Sequence, residues 1–235
     1  MPRRILVPFE LPDADPLPGL LVEDLGDMEV VLFGHYGLPE QTPPGAARDQ
    51  FEAEAEAEID AMAAPFHEAG VDVETRLMFG TDRAKAIDQV ALEEDCDAEL
   101  DPAPTEAIER ILVPLLDTAN LDRLVDFVRA LLDERSVNVT LFHVAEGDES
   151  VSEAEPMLQQ ARERLIDLGF DPEIVDVAVV ESDSHDAEIL AEAENYDAVV
   201  MDEAAPNIAD RIFGTLSDKI AERTGSPVII VRREH

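Results

Sequence analysis

Residues 3–9 read RRILVPF, and nearly the same words, ERILVPL, return at residues 109–115. Other landmarks return with them. Leu32-Phe33 is matched by Leu141-Phe142, Ala69-Gly70-Val71-Asp72 by Leu168-Gly169-Phe170-Asp171, and Cys96-Asp97-Ala98 by Tyr196-Asp197-Ala198. The offsets all fall between about 100 and 110 residues, and a near-constant offset along the whole first half marks a duplicated domain. The chain must therefore fold as two versions of one plan.

That plan is legible from apolar runs alternating with amphipathic segments. In the first copy, strands are expected at residues 3–9, 28–33, 71–78 and, weakly, 98–100. Helices are expected at 50–68 and 82–94. Phe51, Ala55, Ile59, Met62 and Phe66 form the buried stripe of the 50–68 helix, and the EAEAEAE run at 52–58 forms its wet face. After residue 100 the segment DPAPTEA leads straight into the second copy. The first copy therefore lacks a last helix and strand, and the domains are placed at 1–103 and 108–235.

The second copy carries the full set. Its strands are expected at 110–115, 137–144, 174–180, 198–201 and 228–232. Its helices are expected at 121–134, 152–168, 185–194 and 215–223. Ser152 with Glu155 and Thr215 with Asp218 fit a capping-box spacing, and Gly225 followed by Pro227 ends the last helix. Strands alternating with helices give an α/β class with a parallel sheet and right-handed crossovers.

Charge is the chain's other extreme. A formal net charge of −38, from 55 acidic and 17 basic residues, exceeds what an ordinary small domain carries. Lys85 and Lys219 are the only lysines. Acidic residues spread along the chain at helical spacing suit a protein living in molar salt, where self-repulsion is screened within about 3 Å. A halophilic source, an archaeon, is expected. Such a surface argues against nucleic acid and anionic lipid, both of which require a basic patch. No apolar run reaches the length of a membrane span, and the start enters a strand without a signal-peptide pattern, so a cytoplasmic location without membrane insertion is expected. The single cysteine, Cys96, excludes an intrachain disulfide and a cysteine-based zinc site.

The segment 196–233 joins a buried strand, a loop, the glycine-threonine pair Gly214-Thr215, an amphipathic helix and the terminal strand SPVIIVR at 226–232. This stretch resembles the universal stress protein family, whose members carry G-x2-G-x9-G-[ST] after the fourth strand and a terminal strand of type PVLVVR. Gly214-Thr215 stands for the final G-[ST]. The first two glycines are replaced, at Met201 or Asp202 and at Ala204 or Ala205. The resemblance implies two doubly wound, Rossmann-like domains of the adenine-nucleotide alpha hydrolase-like kind, with strand order 3-2-1-4-5 in the second. It further implies a vestigial nucleotide site at Asp117, Val144, Gly214 and Thr215, with Glu10 near the corresponding acid of the first copy.

Replacing glycine by residues with a Cβ blocks close backbone approach to phosphate, and Asp202 and Glu203 add like charge. The expectation is a protein without ATP or another cofactor, acting in stress response through an unknown protein partner. The alternatives are divergent ATP binding and soluble regulation of a membrane transporter. The resemblance also implies a homodimer paired through Val228, Ile229, Ile230 and Val231, since such an apolar edge is protected by pairing or covering. No catalytic set is expected, because the histidines scatter and no nucleophile, P-loop or metal pattern occurs. His35 stands one residue out of register with His143, so strand alternation should turn the two to opposite faces.

Overall fold

The computed structural model describes residues 3–39, 44–103, 108–132, 137–147, 150–203 and 215–233. Two compact units are present, Met1–Leu100 and Asp101–His235.

The N-terminal unit runs β1 (Arg4–Leu11), α1 (Gly19–Asp24), β2 (Glu29–Gly37), α2 (Pro44–Ala69), β3 (Val73–Gly80), α3 (Arg83–Glu93) and β4 (Ala98–Asp101). Every pairing is parallel, with β2 between β1 and β3, and β1 between β2 and β4. Helices cover both faces of such a sheet, so its central strands are apolar on both sides. Ile5, Leu6, Val7, Val30, Val31, Leu32 and Phe33 are accordingly all buried. On one face Leu6, Val31 and Phe33 pack against Ala86, Ile87 and Val90 of α3 and against Cys96, which is a small core residue here.

The C-terminal unit runs β5 (Arg110–Pro114), α4 (Leu121–Leu131), β6 (Asn138–Ala145), α5 (Val151–Asp167), β7 (Val175–Glu181), α6 (His185–Ala193), β8 (Ala198–Asp202), α7 (Leu216–Thr224) and β9 (Val228–Val231). Its pairings, again parallel, give the order β7-β6-β5-β8-β9, which is 3-2-1-4-5 within the unit. The chain is thus α/β, and β4 of the first unit is followed directly in chain order by β5.

The duplication has a physical core. Ile5 pairs with Val30 and Ala98 just as Ile111 pairs with Val139 and Ala198. The aspartate ahead of each fourth strand anchors the start of each first strand. Asp97 accepts the Arg4 N–H at 2.9 Å and Arg3 Nη1 at 2.8 Å. Asp197 accepts the N–H groups of Glu109 and Arg110 at 3.1 and 2.8 Å. The recurring D-A pair in the sequence is this clasp.

Three expectations are corrected. The first three strands run on past their apolar stretches, to Leu11, Gly37 and Gly80, which brings Glu10 and His35 into the sheet. The stretch after the first strand, which carries Pro12, Pro16 and Pro18 and in which no element is expected, holds a short helix, α1, whose Leu21 and Val22 are buried. The capping box of α5 is Ser150 with Glu153, not Ser152 with Glu155: Glu153 Oε2 accepts the Ser150 N–H at 2.9 Å and its hydroxyl at 2.7 Å. Of the acidic run in α2, Glu54 and Glu56 are exposed, while Glu58 is half-buried and accepts the Ala14 N–H at 2.7 Å.

Candidate functional site

In a doubly wound sheet the ligand crevice lies outside the carboxyl ends of the strands, where the strand order reverses. In the C-terminal unit that place is between β5 and β8. Asp117 and Asn120 follow β5, Val144 ends β6, Asp202 and Glu203 end β8, Thr215 opens α7, and Arg232 and Arg233 follow β9. Gly214 and the rest of residues 204–214, including Ala204 and Ala205, lie outside the described residues.

The acids at the end of β8 are engaged by the protein itself. Asn120 Nδ2 donates to Asp202 Oδ1, and Arg233 Nη2 donates to Asp202 Oδ2 at 3.0 Å. The Arg233 N–H donates to Glu203 Oε2 at 3.0 Å, and the buried Arg232 places Nη2 3.8 Å from Glu203 Oε1. Both carboxylates at this place are thus tied to groups of the surrounding loops, and charge-assisted bonds of this kind are the stronger class of hydrogen bond.

The start of α7 is likewise committed. Thr215 Oγ1 accepts the Asp218 N–H at 3.2 Å, and Asp218 Oδ2 accepts the Thr215 N–H at 2.7 Å, a reciprocal capping box. Gly225, at φ +66°, closes the helix with its N–H on Ala221 O, a left-handed conformation that glycine adopts without Cβ strain. A helix N-terminus attracts anions through its free N–H groups and dipole, and here the carboxylate of Asp218 already sits there.

The remaining expected residues have local roles. Asp117 Oδ1 accepts the Ala119 N–H at 2.7 Å, which shapes the turn ahead of α4. Val144 is buried in the apolar cluster of Leu112, Phe142, Ile189 and Val199. His143 places Nδ1 2.7 Å from Leu115 O and is buried. Among the described residues no cluster of histidine, cysteine and carboxylate side chains could hold a metal ion. Asn120, Arg232 and Arg233 were invisible to sequence reasoning. Each lies far along the chain from its acid, and no spacing rule links them.

Two units built on parallel sheets, the second with strand order 3-2-1-4-5, define a doubly wound α/β protein of Rossmann-like type. The universal stress protein family model matches residues 107–232, more than half of the chain, and the chain belongs to that family. No curated protein sequence matches it significantly. Among solved structures it is similar to a universal stress protein from Archaeoglobus fulgidus, at 18% identity over 98% of this chain and 96% of that one, with TM-score 0.69. It is also similar to a putative universal stress protein from Pseudomonas aeruginosa, at 15% identity over 98% and 93%, with TM-score 0.54. A third likeness is to the cytoplasmic domain of a prokaryotic cation chloride cotransporter, at 12% identity over 98% and 95%, with TM-score 0.54. At such identities the likeness speaks to the fold.

Proposed function

We propose that this universal stress protein is a regulatory, stress-response member that carries no chemistry of its own, does not hold ATP, and acts in the cytoplasm through a protein partner. The observation that supports this most directly is the engagement of Asp202 and Glu203 by Asn120, Arg232 and Arg233 at the end of β8. A nucleotide phosphate approaching here would meet two carboxylates, and removing their partners would leave charge unpaired. The α7 N-terminus carries Asp218 as well, so the anion-attracting end of the helix is offset. Even fully available, one exposed helix N-terminus contributes only about 0.3–1 kcal/mol to holding an anion.

The reading includes a second copy of the chain as a partner, with Val228, Ile229, Ile230 and Val231 of β9 as the expected contact. Light scattering in molar potassium chloride at micromolar protein tests this, and a monomer overturns it. Among the described residues no helix is long and apolar enough to cross a membrane.

Calorimetric titration of the full chain with magnesium-ATP in molar potassium chloride tests the central claim. The expected affinity is no tighter than millimolar, roughly 4 kcal/mol. Micromolar binding would promote the alternative of a divergent nucleotide-binding member. A second alternative, soluble regulation of a membrane transporter, is favoured by the fold shared with the cotransporter cytoplasmic domain. Recovery of a transporter with the tagged chain at high salt would establish it.

A further inference from the structure

The carboxyl ends of β1, β2 and β3 in the N-terminal unit bring Glu10, His35 and Arg83 together. His35 lies on β2 and is 2% exposed. Neither of its ring nitrogens has a hydrogen-bond partner among the described residues. The duplicated register shows what the position ordinarily holds. Pro8 pairs with Phe33 as Pro114 pairs with Phe142, so His35, two residues beyond Phe33, stands where the second unit has Val144. Val144 is buried to the same 2%. A valine fills that space at no polar cost, whereas a buried donor and acceptor left without partners are costly. Packing alone does not call for the imidazole.

The surroundings of the ring are polar on the open side. Nδ1 lies 3.6 Å from Glu10 Oε2, too far for a good hydrogen bond, and that same oxygen lies 3.3 Å from Arg83 Nε. Nε2 faces the end of β3, where a Cβ added at Gly80 would sit 3.6 Å away. Arg83 is the first residue of the eleven-residue α3, whose N-terminus is already capped by Asp82 Oδ1 on the Lys85 N–H at 3.1 Å, and Arg83 Nη2 is 3.4 Å from Pro8 O. Glu10 is loosely held. Its side chain is 57% exposed, and it lies where Gly37 has no Cβ, since one there would come within 2.7 Å of Oε1.

We propose that this cluster is a binding site for a small oxyanion, a carboxylate or a phosphate, which takes the place of the Glu10 carboxylate between His35 and Arg83. Turning the exposed Glu10 outward uncovers an imidazole N–H and a guanidinium. Both donate to anions, and they meet outside the carboxyl ends of β1–β3. The resident carboxylate marks the position and leaves the imidazole unsatisfied until a better-placed oxygen arrives. The site uses none of the residues at the β5–β8 crevice, but Glu10 lies near the first copy's counterpart of Asp117 and His35 at that of Val144, so a nucleotide is titrated beside the simple oxyanions.

The test follows the ring nitrogens of 15N-labelled histidine in the full chain at constant molar potassium chloride, with His35→Val assigning the His35 signals. Inorganic phosphate, acetate and AMP are titrated separately. A saturable change at His35 with phosphate or acetate is expected, and whichever of the two acts at lower concentration identifies the oxyanion. Arg83→Gln, a partly exposed position, should weaken it about tenfold, and Glu10→Gln, which removes the competing charge, should strengthen it. His35→Val should fold, melt no lower than the parent and, in calorimetric titration with phosphate or acetate, lose the binding that the parent shows. No saturable change, or one that Arg83→Gln leaves untouched, overturns the proposal. AMP binding about tenfold tighter than phosphate overturns it in favour of a base pocket. A markedly lower melting temperature of His35→Val overturns it in favour of a structural histidine.

Discussion

Asn120 Nδ2 donates a hydrogen bond to Asp202 Oδ1, tying the turn before α4 to the end of β8 across the crevice of the C-terminal unit. The two residues are far apart in sequence, Asn120 in the turn after β5, the unit's first strand, and Asp202 at the end of β8, its fourth. In this sheet order those positions flank the place where a ligand would be received. Here the place is bridged by the protein's own polar groups, with Arg233 on the other oxygen of Asp202.

Breaking that bridge should cost stability and open nothing. Asp202→Ala leaves Asn120 and Arg233 without their acceptor, and because the Asp202 side chain is only 22% exposed the loss should be about 1 kcal/mol. Urea unfolding in molar potassium chloride should show a lower midpoint at unchanged slope. Binding of magnesium-ATP by the variant should stay no tighter than millimolar, because Asp218 still occupies the α7 N-terminus. An unchanged midpoint would mean that the bridge carries no weight in the fold.

The clasp at the start of each unit should matter more. Asp97 is 17% exposed and accepts both the Arg4 N–H and the Arg3 guanidinium, so Asp97→Ala removes a charged acceptor from two donors. The expected cost is about 1–3 kcal/mol, with Asp197→Ala toward the lower end because its carboxylate is more exposed. Hydrogen exchange should speed up first at the amides of β1 in the one variant and of β5 in the other. Equal, negligible effects in both would reduce the clasp to a by-product of strand pairing.

Much of this fold was legible because parallel strands buried on both faces must be apolar runs, and the repeat supplied the first four of them twice. The Thr215 box was legible because only one pair fits the spacing. The α5 box was misplaced because the sequence SVSEAE offers two overlapping pairs, Ser150 with Glu153 and Ser152 with Glu155. Only the place where the helix begins decides between them. The polar ends of β1 and β2 were missed since Glu10 and His35 interrupt the apolar pattern that defines a strand. The groups that tie Asp202 and Glu203 could not be read at all. They come from two segments, the turn before α4 and the residues after β9, and proximity in a sheet of this order is not proximity in sequence.

Acid should loosen the start of α5. The Glu153 carboxyl is held below its ordinary value, first by the Ser150 N–H and then by the Ser150 hydroxyl, both of which favour the charged form. A depressed carboxyl contributes stability above the unfolded value of 4.5, and loses it as pH falls through the lower folded value. Carboxyl 13C shifts should therefore show Glu153 titrating below the ordinary glutamate range in the parent and returning to it in Ser150→Ala. Glu153→Gln should flatten the acid limb of the melting curve. If Glu153 titrates normally in the parent, the box is not formed in solution.

Folding itself should depend on salt. With a net charge of −38 the surface repels itself, and few cations are available to offset it: Arg4 gathers Glu29 and Glu94, Arg76 gathers Glu74 and Glu94, and Arg164 meets Asp122. Exposed pairs of this kind contribute only about 0–1 kcal/mol each, so they cannot balance the excess. Lowering salt from 1 M to 0.01 M lengthens the screening distance from about 3 Å to about 30 Å, and repulsion then acts across the whole surface rather than between neighbours. The melting temperature and far-UV spectrum should fall away together on dialysis to low salt, and return when potassium chloride is restored. Magnesium should restore them at lower concentration than potassium, because a divalent ion screens more strongly. A chain that keeps its melting temperature at low salt would show that the acidic surface is tolerated by the fold alone, and the halophilic reading of its composition would fall.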